Sequence, residues 1–153
     1  YSSAASDVYK RQAYNGYTLE GRTRIHMELI KGIRQVIGDK SLFALRLGGC
    51  DYTVGGTTIE DAVWACRRFE EAGVDLLDIS GGTCCYARKG HNYPGYFGDI
   101  SEAVKKEVHI PVLLTGGVRT VQDAEMLLKE EKADMIGVGR IITAKPDWGM
   151  ELI

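Results

Sequence analysis

Residues 110–140 read IPVLLTGGVRTVQDAEMLLKEEKADMIGVGR, and the fold class follows from this stretch. A short apolar run at 110–115 stops sharply at Gly116-Gly117. Thr120 then precedes a segment of helical period over 121–130, with Val121, Ala124, Leu127 and Leu128 on one face. A second apolar run at 133–138 ends in Gly139-Arg140. Strand, helix and strand in that order make a parallel βαβ unit, because joining two parallel strands needs a crossover long enough for a helix.

The same alternation continues upstream. Leu29, Ile30, Ile33, Val36 and Ile37 predict one apolar face of a helix over 24–37, which Gly38 stops. A strand is expected at 42–47 and a loop at 48–56. The next helix starts at Thr57 or Thr58, where Thr57 and Glu60 fit a capping box; Ile59, Ala62, Val63, Cys66 and Phe69 form its stripe and Gly73 ends it. A strand at 75–80 leads into a long loop over 81–98, rich in Gly, Tyr and Pro, and loops of that length usually carry function. A helix follows over 100–107, with Asp99 and Glu102 at capping positions, and Pro146-Asp147 fits the start of a further short helix. Near-continuous apolar strands imply a sheet covered on both faces. The expected fold class is α/β, with no internal linker or second domain.

Composition sets outer bounds. The chain has 153 residues, 44% hydrophobic and 26% charged, with a formal net charge of -2. No strongly basic face is implied, so nucleic acid is not an expected partner. No apolar run approaches the length that spans a bilayer, and no secretory leader is visible, so a cytoplasmic location is expected with no membrane partner. Cys50, Cys66, Cys84 and Cys85 form no C-x-x-C pair, so no metal site is expected, and the adjacent Cys84 and Cys85 read as reduced loop thiols. Residues 1–12 (YSSAASDVYKRQ) have no clear period and are expected to be a disordered or non-native arm, with 13–153 as the folded part of a fragment.

In a parallel barrel, ligands bind where the strands end, so the residues just after each apolar run matter most. Glycines at Gly116-Gly117 let backbone N–H groups approach an anion ahead of a helix N-terminus, although turn geometry alone also explains them. Gly139-Arg140 offers open space and a forked, permanent cation suited to phosphate. The two loops together are far more specific than either alone. Arg46 sits within an apolar strand and has two readings: a contact to an electron-rich ligand, or an ion pair with Asp78 or Asp51. Asp78 and Ser80 end the next strand and either hold a ligand or orient Arg46. His91 reads as a solvated loop histidine, and His26 and His109 as surface residues. No Ser-His-Asp or Cys-His spacing specifies a nucleophile.

Read in order, these segments resemble one family. Thr18-Leu19-Glu20-Gly21-Arg22-Thr23-Arg24 is similar to a segment that usually reads Gly-Gly-Ser-x-Glu-Asn-Arg-x-Arg. The strand with Arg46, the run from Gly73 to Gly81, the loop Asn92-Tyr93-Pro94-Gly95-Tyr96, the segment Thr115-Gly116-Gly117-Val118 and the run from Ala133 to Arg140 also match it in order and spacing. The family is that of Old Yellow Enzyme, the FMN-dependent NADH:flavin oxidoreductases and ene-reductases. Gly21 and Gly48 stand where the family usually has Asn and Ser.

The resemblance implies a TIM (β/α)8 barrel of which this chain covers the last four βα units. It implies FMN as cofactor, NADH or NADPH as electron donor, and an electron-poor alkene such as an enone as the small-molecule substrate. It implies that Arg46 contacts the flavin ring and that Gly116, Gly117, Gly139 and Arg140 hold the FMN phosphate. The family's substrate-anchoring pair and proton donor lie on its first four strands, so no catalytic residue is expected in this fragment, which should be inactive alone. Such barrels commonly associate, so a homo-oligomer of the full-length protein is compatible. Two rival readings remain: a phosphate-binding barrel enzyme without flavin, and a non-catalytic half-barrel binding module.

Overall fold

The computed structural model describes residues 14–83 and 87–152. The expected arm at 1–12 and the pair Cys84-Cys85 lie outside the described residues. The chain runs α1 (Leu19–Ile37), β1 (Ala44–Gly48), α2 (Ile59–Glu71), β2 (Leu76–Ser80), α3 (Gly98–Lys105), β3 (Val112–Thr115), α4 (Val121–Lys129), β4 (Met135–Gly137) and α5 (Arg140–Ala144), with 3-10 turns at Gly38–Lys40 and Trp148–Leu152. No helix among these residues is long and apolar enough to cross a membrane.

The four strands form one parallel sheet in the order β1-β2-β3-β4. Register pairs Arg46 with Asp78, Asp78 with Leu113, and Thr115 with Gly137. An order that never reverses is what a barrel wall requires; a doubly wound sheet reverses at its switch point. Leu77, Ile79, Val112 and Leu114 point to one face and are fully buried in a core with Cys66, Phe69, Ile100 and Val104 from α2 and α3. The opposite face is open: Ala44, Arg46 and Gly48 are exposed, and Asp78, Leu113 and Thr115 half-buried. The expectation of a sheet covered on both faces is therefore corrected. A four-stranded wall has no strands opposite its inner face, so the alternate residues have nothing to pack on.

Several local expectations also shift. α1 begins at Leu19, because Thr18 Oγ1 accepts from Gly21 N at 3.0 Å while Asn15 Oδ1 accepts from Tyr17 N and Thr18 N at 3.1 and 3.2 Å. Of its predicted stripe only Ile30 reaches the core; Leu29, Ile33 and Val36 stay exposed. The capping box of α2 is Thr58 with Asp61, one residue later than Thr57 with Glu60. Thr57 is held in the loop, where its N–H donates to Asp51 Oδ2 at 2.7 Å and its carbonyl accepts from Asp51 N at 3.0 Å. α3 starts at Gly98 without a side-chain cap. Asp99 instead accepts from Tyr52 and Arg88, and Glu102 from Lys106 and Lys132. The Thr120 cap of α4 stands as expected, in a capping box with Asp123.

Candidate functional site

All the strands end on the same side, and a cleft of about 860 Å³ opens there. Arg46, Gly116, Gly117, Gly139 and Arg140, drawn from three separate strand ends, all line it. Among the described residues its lining holds three arginines, Arg46, Arg119 and Arg140, and no acidic side chain. Such a cleft concentrates positive potential and suits an anionic ligand.

The floor lies on the open face of the sheet. Asp78 accepts from Thr115 Oγ1 at 2.9 Å and pairs with Arg46 at 3.6 Å. Of the partners its sequence offered, Arg46 pairs with Asp78, not Asp51, and its side chain is 57% exposed and lines the cleft. Asp78 orients it. Gly48, at the end of β1, has Gly82 Cα and Gly81 O 2.8 and 2.9 Å from where a Cβ would sit. A serine there would require the loop after β2 to move.

One wall is the β3–α4 loop. Gly116 and Gly117 both have positive φ, 153° and 74°, a region that side chains with a Cβ rarely adopt. Space adds a second reason. A Cβ on Gly117 would meet Tyr96 Cδ1 at 2.6 Å, and one on Gly116 would meet Phe97 Cδ2 at 2.8 Å. The long loop before α3 therefore packs its aromatic end directly under the two glycines, and Gly95 N donates to Gly116 O at 2.8 Å.

The other wall is the end of β4. Gly139 precedes α5, which starts at Arg140 and escaped the sequence reading because five residues show no usable period. Arg140 Nη2 donates to the Tyr96 hydroxyl at 3.1 Å. The last turn closes the side: buried Trp148 donates its indole N–H to Arg119 O at 3.1 Å.

Sequence reasoning missed Arg119 and Phe97 as parts of this site, and Trp148 as a support of Arg119, and saw Tyr96 only as part of a loop. Arg119 sits two residues after the glycine pair and was legible on that ground; the others depend on how the loop folds back. His91 bonds the Tyr93 hydroxyl and does not line the cleft. His109 is exposed, as expected, whereas His26 is half-buried against Phe69. Burial pushes the Cys66 thiol up to about 12, so it is an inert core residue. Burial raises the Tyr52 phenol far above its ordinary value, and its hydrogen bond to Asp99 adds to this.

Residues 9–152 match the family described as NADH:flavin oxidoreductase / NADH oxidase. An NADH oxidase of Thermoanaerobacter brockii is 31% identical over 137 residues, covering 87% of this chain and 21% of that protein. An NADPH dehydrogenase of Geobacillus sp. (strain WCH70) is 34% identical over 139 residues, covering 91% of this chain and 40% of the dehydrogenase. Among solved structures, a 2-naphthoyl-CoA reductase in complex with 2-naphthoyl-CoA superposes with a TM-score of 0.79 at 26% identity, over 90% of this chain and 22% of that one. The chain thus spans between about a fifth and two fifths of the relatives it matches.

Proposed function

The chain belongs to the NADH:flavin oxidoreductase / NADH oxidase family as part of its (β/α)8 barrel, and from that premise we propose that it is the cofactor-holding half of an FMN-dependent oxidoreductase. The full-length protein would pass hydride from NADH or NADPH through the flavin to an electron-poor alkene such as an enone. The observation that carries this reading is the convergence of Arg46, Gly116-Gly117 and Gly139-Arg140 on one cleft.

The residues fit the group. A phosphate monoester asks for a forked cation and for backbone close enough to approach, and Arg140, Arg119 and the three glycines supply both at one end. An aromatic ring system asks for an apolar wall, and Val118, Val138 and Ile141 line the cleft. Bound there, FMN would supply the hydride-accepting and hydride-donating chemistry. The chain's own part is to bind and to polarise. Arg140 and the glycine loop hold the phosphate, and Arg46, steered by Asp78, sets a permanent positive charge where negative charge on the ring would be stabilised.

The test uses the full-length protein. It should be yellow as purified and release FMN on denaturation. Arg140→Ala should weaken FMN binding about ten- to hundredfold, as expected for losing a hydrogen bond to a charged group. A colourless protein that binds a different phosphorylated ligand would favour the barrel enzyme without flavin. Unchanged FMN affinity in Arg140→Ala would overturn the phosphate assignment.

A further inference from the structure

Tyr96 belongs to the long loop before α3, not to either phosphate loop, yet it touches both. Its ring fills the space beneath Gly116 and Gly117: a Cβ on Gly117 would meet Cδ1 at 2.6 Å, and one on Gly116 would meet Cε2 at 3.1 Å. Its hydroxyl accepts from Arg140 Nη2 at 3.1 Å. The residue is itself held firmly. It is 5% exposed, meets Phe97 edge-on at 4.7 Å between centroids, and its carbonyl accepts from Arg88 Nη1 at 3.1 Å.

We infer that Tyr96 is a positioning residue for phosphate recognition, setting the height of the glycine loop with its ring and the aim of the Arg140 guanidinium with its hydroxyl. The inference rests on the reading of the cleft as an FMN site and names what makes that site selective for the phosphorylated flavin. The physical reason is the fork. A guanidinium carries five N–H donors in one plane, so a contact to a buried acceptor at one edge fixes the plane in which the group can meet an oxyanion. Without the hydroxyl the guanidinium loses one fixed contact, more of its ordering falls to the moment of binding, and affinity falls by that cost. The effect is confined to ligands that carry the phosphate.

The experiment measures the affinity of the flavin-free full-length protein for FMN and for riboflavin, which lacks the phosphate, by quenching of flavin fluorescence. Tyr96→Phe keeps the ring and removes only the hydroxyl. It should weaken FMN binding about tenfold, the size of one hydrogen bond to a charged group, and leave riboflavin binding unchanged. In an Arg140→Ala background the same change should add nothing, because the two residues act as one unit. Should Tyr96→Phe not fold, Arg140→Lys serves instead: one ammonium cannot keep the Tyr96 contact and present a fork, so preference for FMN over riboflavin should fall. The inference is overturned if FMN affinity survives either change. It is also overturned if both flavins weaken equally, which is what a merely structural tyrosine would do, or if the losses add in the double variant. A wild-type protein that binds neither flavin removes the functional reading itself, and this inference with it.

Discussion

Glu102 shows how one side chain ties distant pieces together. Its carboxylate accepts from Lys106 at 2.7 Å, at the C-terminal cap of α3, and from Lys132 at 2.6 Å in the turn before β4. Those two bonds, Lys106 first, hold its carboxyl down at about 2 against an ordinary 4.5. A carboxyl lowered in the folded state stabilises the protein fully above about 4.5, and that contribution is lost as pH falls toward about 2. Glu102→Gln should therefore lower the melting temperature at neutral pH and flatten its acid-side decline across that window. An unchanged slope between those values would show that the pairs contribute nothing in solution. At this scale the sequence was legible where a residue's role is local. Gly117 and Arg140 announce themselves by standing just after a strand. Arg46 was readable only as two alternatives, because the partner that joins them, Asp78, lies across a strand pairing that spacing does not reveal. Tyr96 was not readable as a link, since its two contacts exist only once the loop folds back.

Helices were legible in proportion to their length and their caps. α4 has a Thr120–Asp123 box and a clean stripe, and its predicted and observed bounds differ by one residue. α2 was placed correctly, but its cap moved from Thr57 to Thr58 because Asp51 claims Thr57 for the loop. Thr58→Ala should accordingly destabilise the fold by about 1 kcal/mol, read as a shift of the urea unfolding midpoint with an unchanged slope. No shift would mean that water satisfies the Asp61 backbone N–H as well as the Thr58 hydroxyl does. α3 was expected to start at Ile100 behind an Asp99 cap and starts at Gly98 with no side-chain cap, since Asp99 and Glu102 are both engaged in other contacts. A capping motif read from sequence assumes that its side chains are free to cap, and here tertiary contacts took them first.

For the whole molecule, the alternation of apolar runs and helical periods correctly gave a parallel sheet of four strands. Apolar runs alone pointed to a sheet covered on both faces, whereas four strands of an eight-stranded barrel leave open edges and an uncovered inner face, which is what the structure has. β1 and β4 are edges among the described residues, and Ile25, Leu29, Ile33 and Val36 leave an apolar stripe exposed along α1. Unpaired edges and an unmet apolar stripe mark a surface that packs against something else. The chain by itself is therefore expected to show no NADH-dependent reduction of an enone, and turnover by the purified chain would refute this. The strand order has a further consequence, for synthesis. Every strand pairs with the next one along the polypeptide: Leu47 with Ile79, and Leu114 with Ile136, are 32 and 22 residues apart. Contacts so close in sequence form quickly and in order, so the wall can grow from its N-terminal edge while the ribosome is still working. The cleft is the exception, because two of its sides come from residues 116–119 and 137–141. That second side follows β4 itself, so the first three strands can pair while the ligand site still lacks one of its walls.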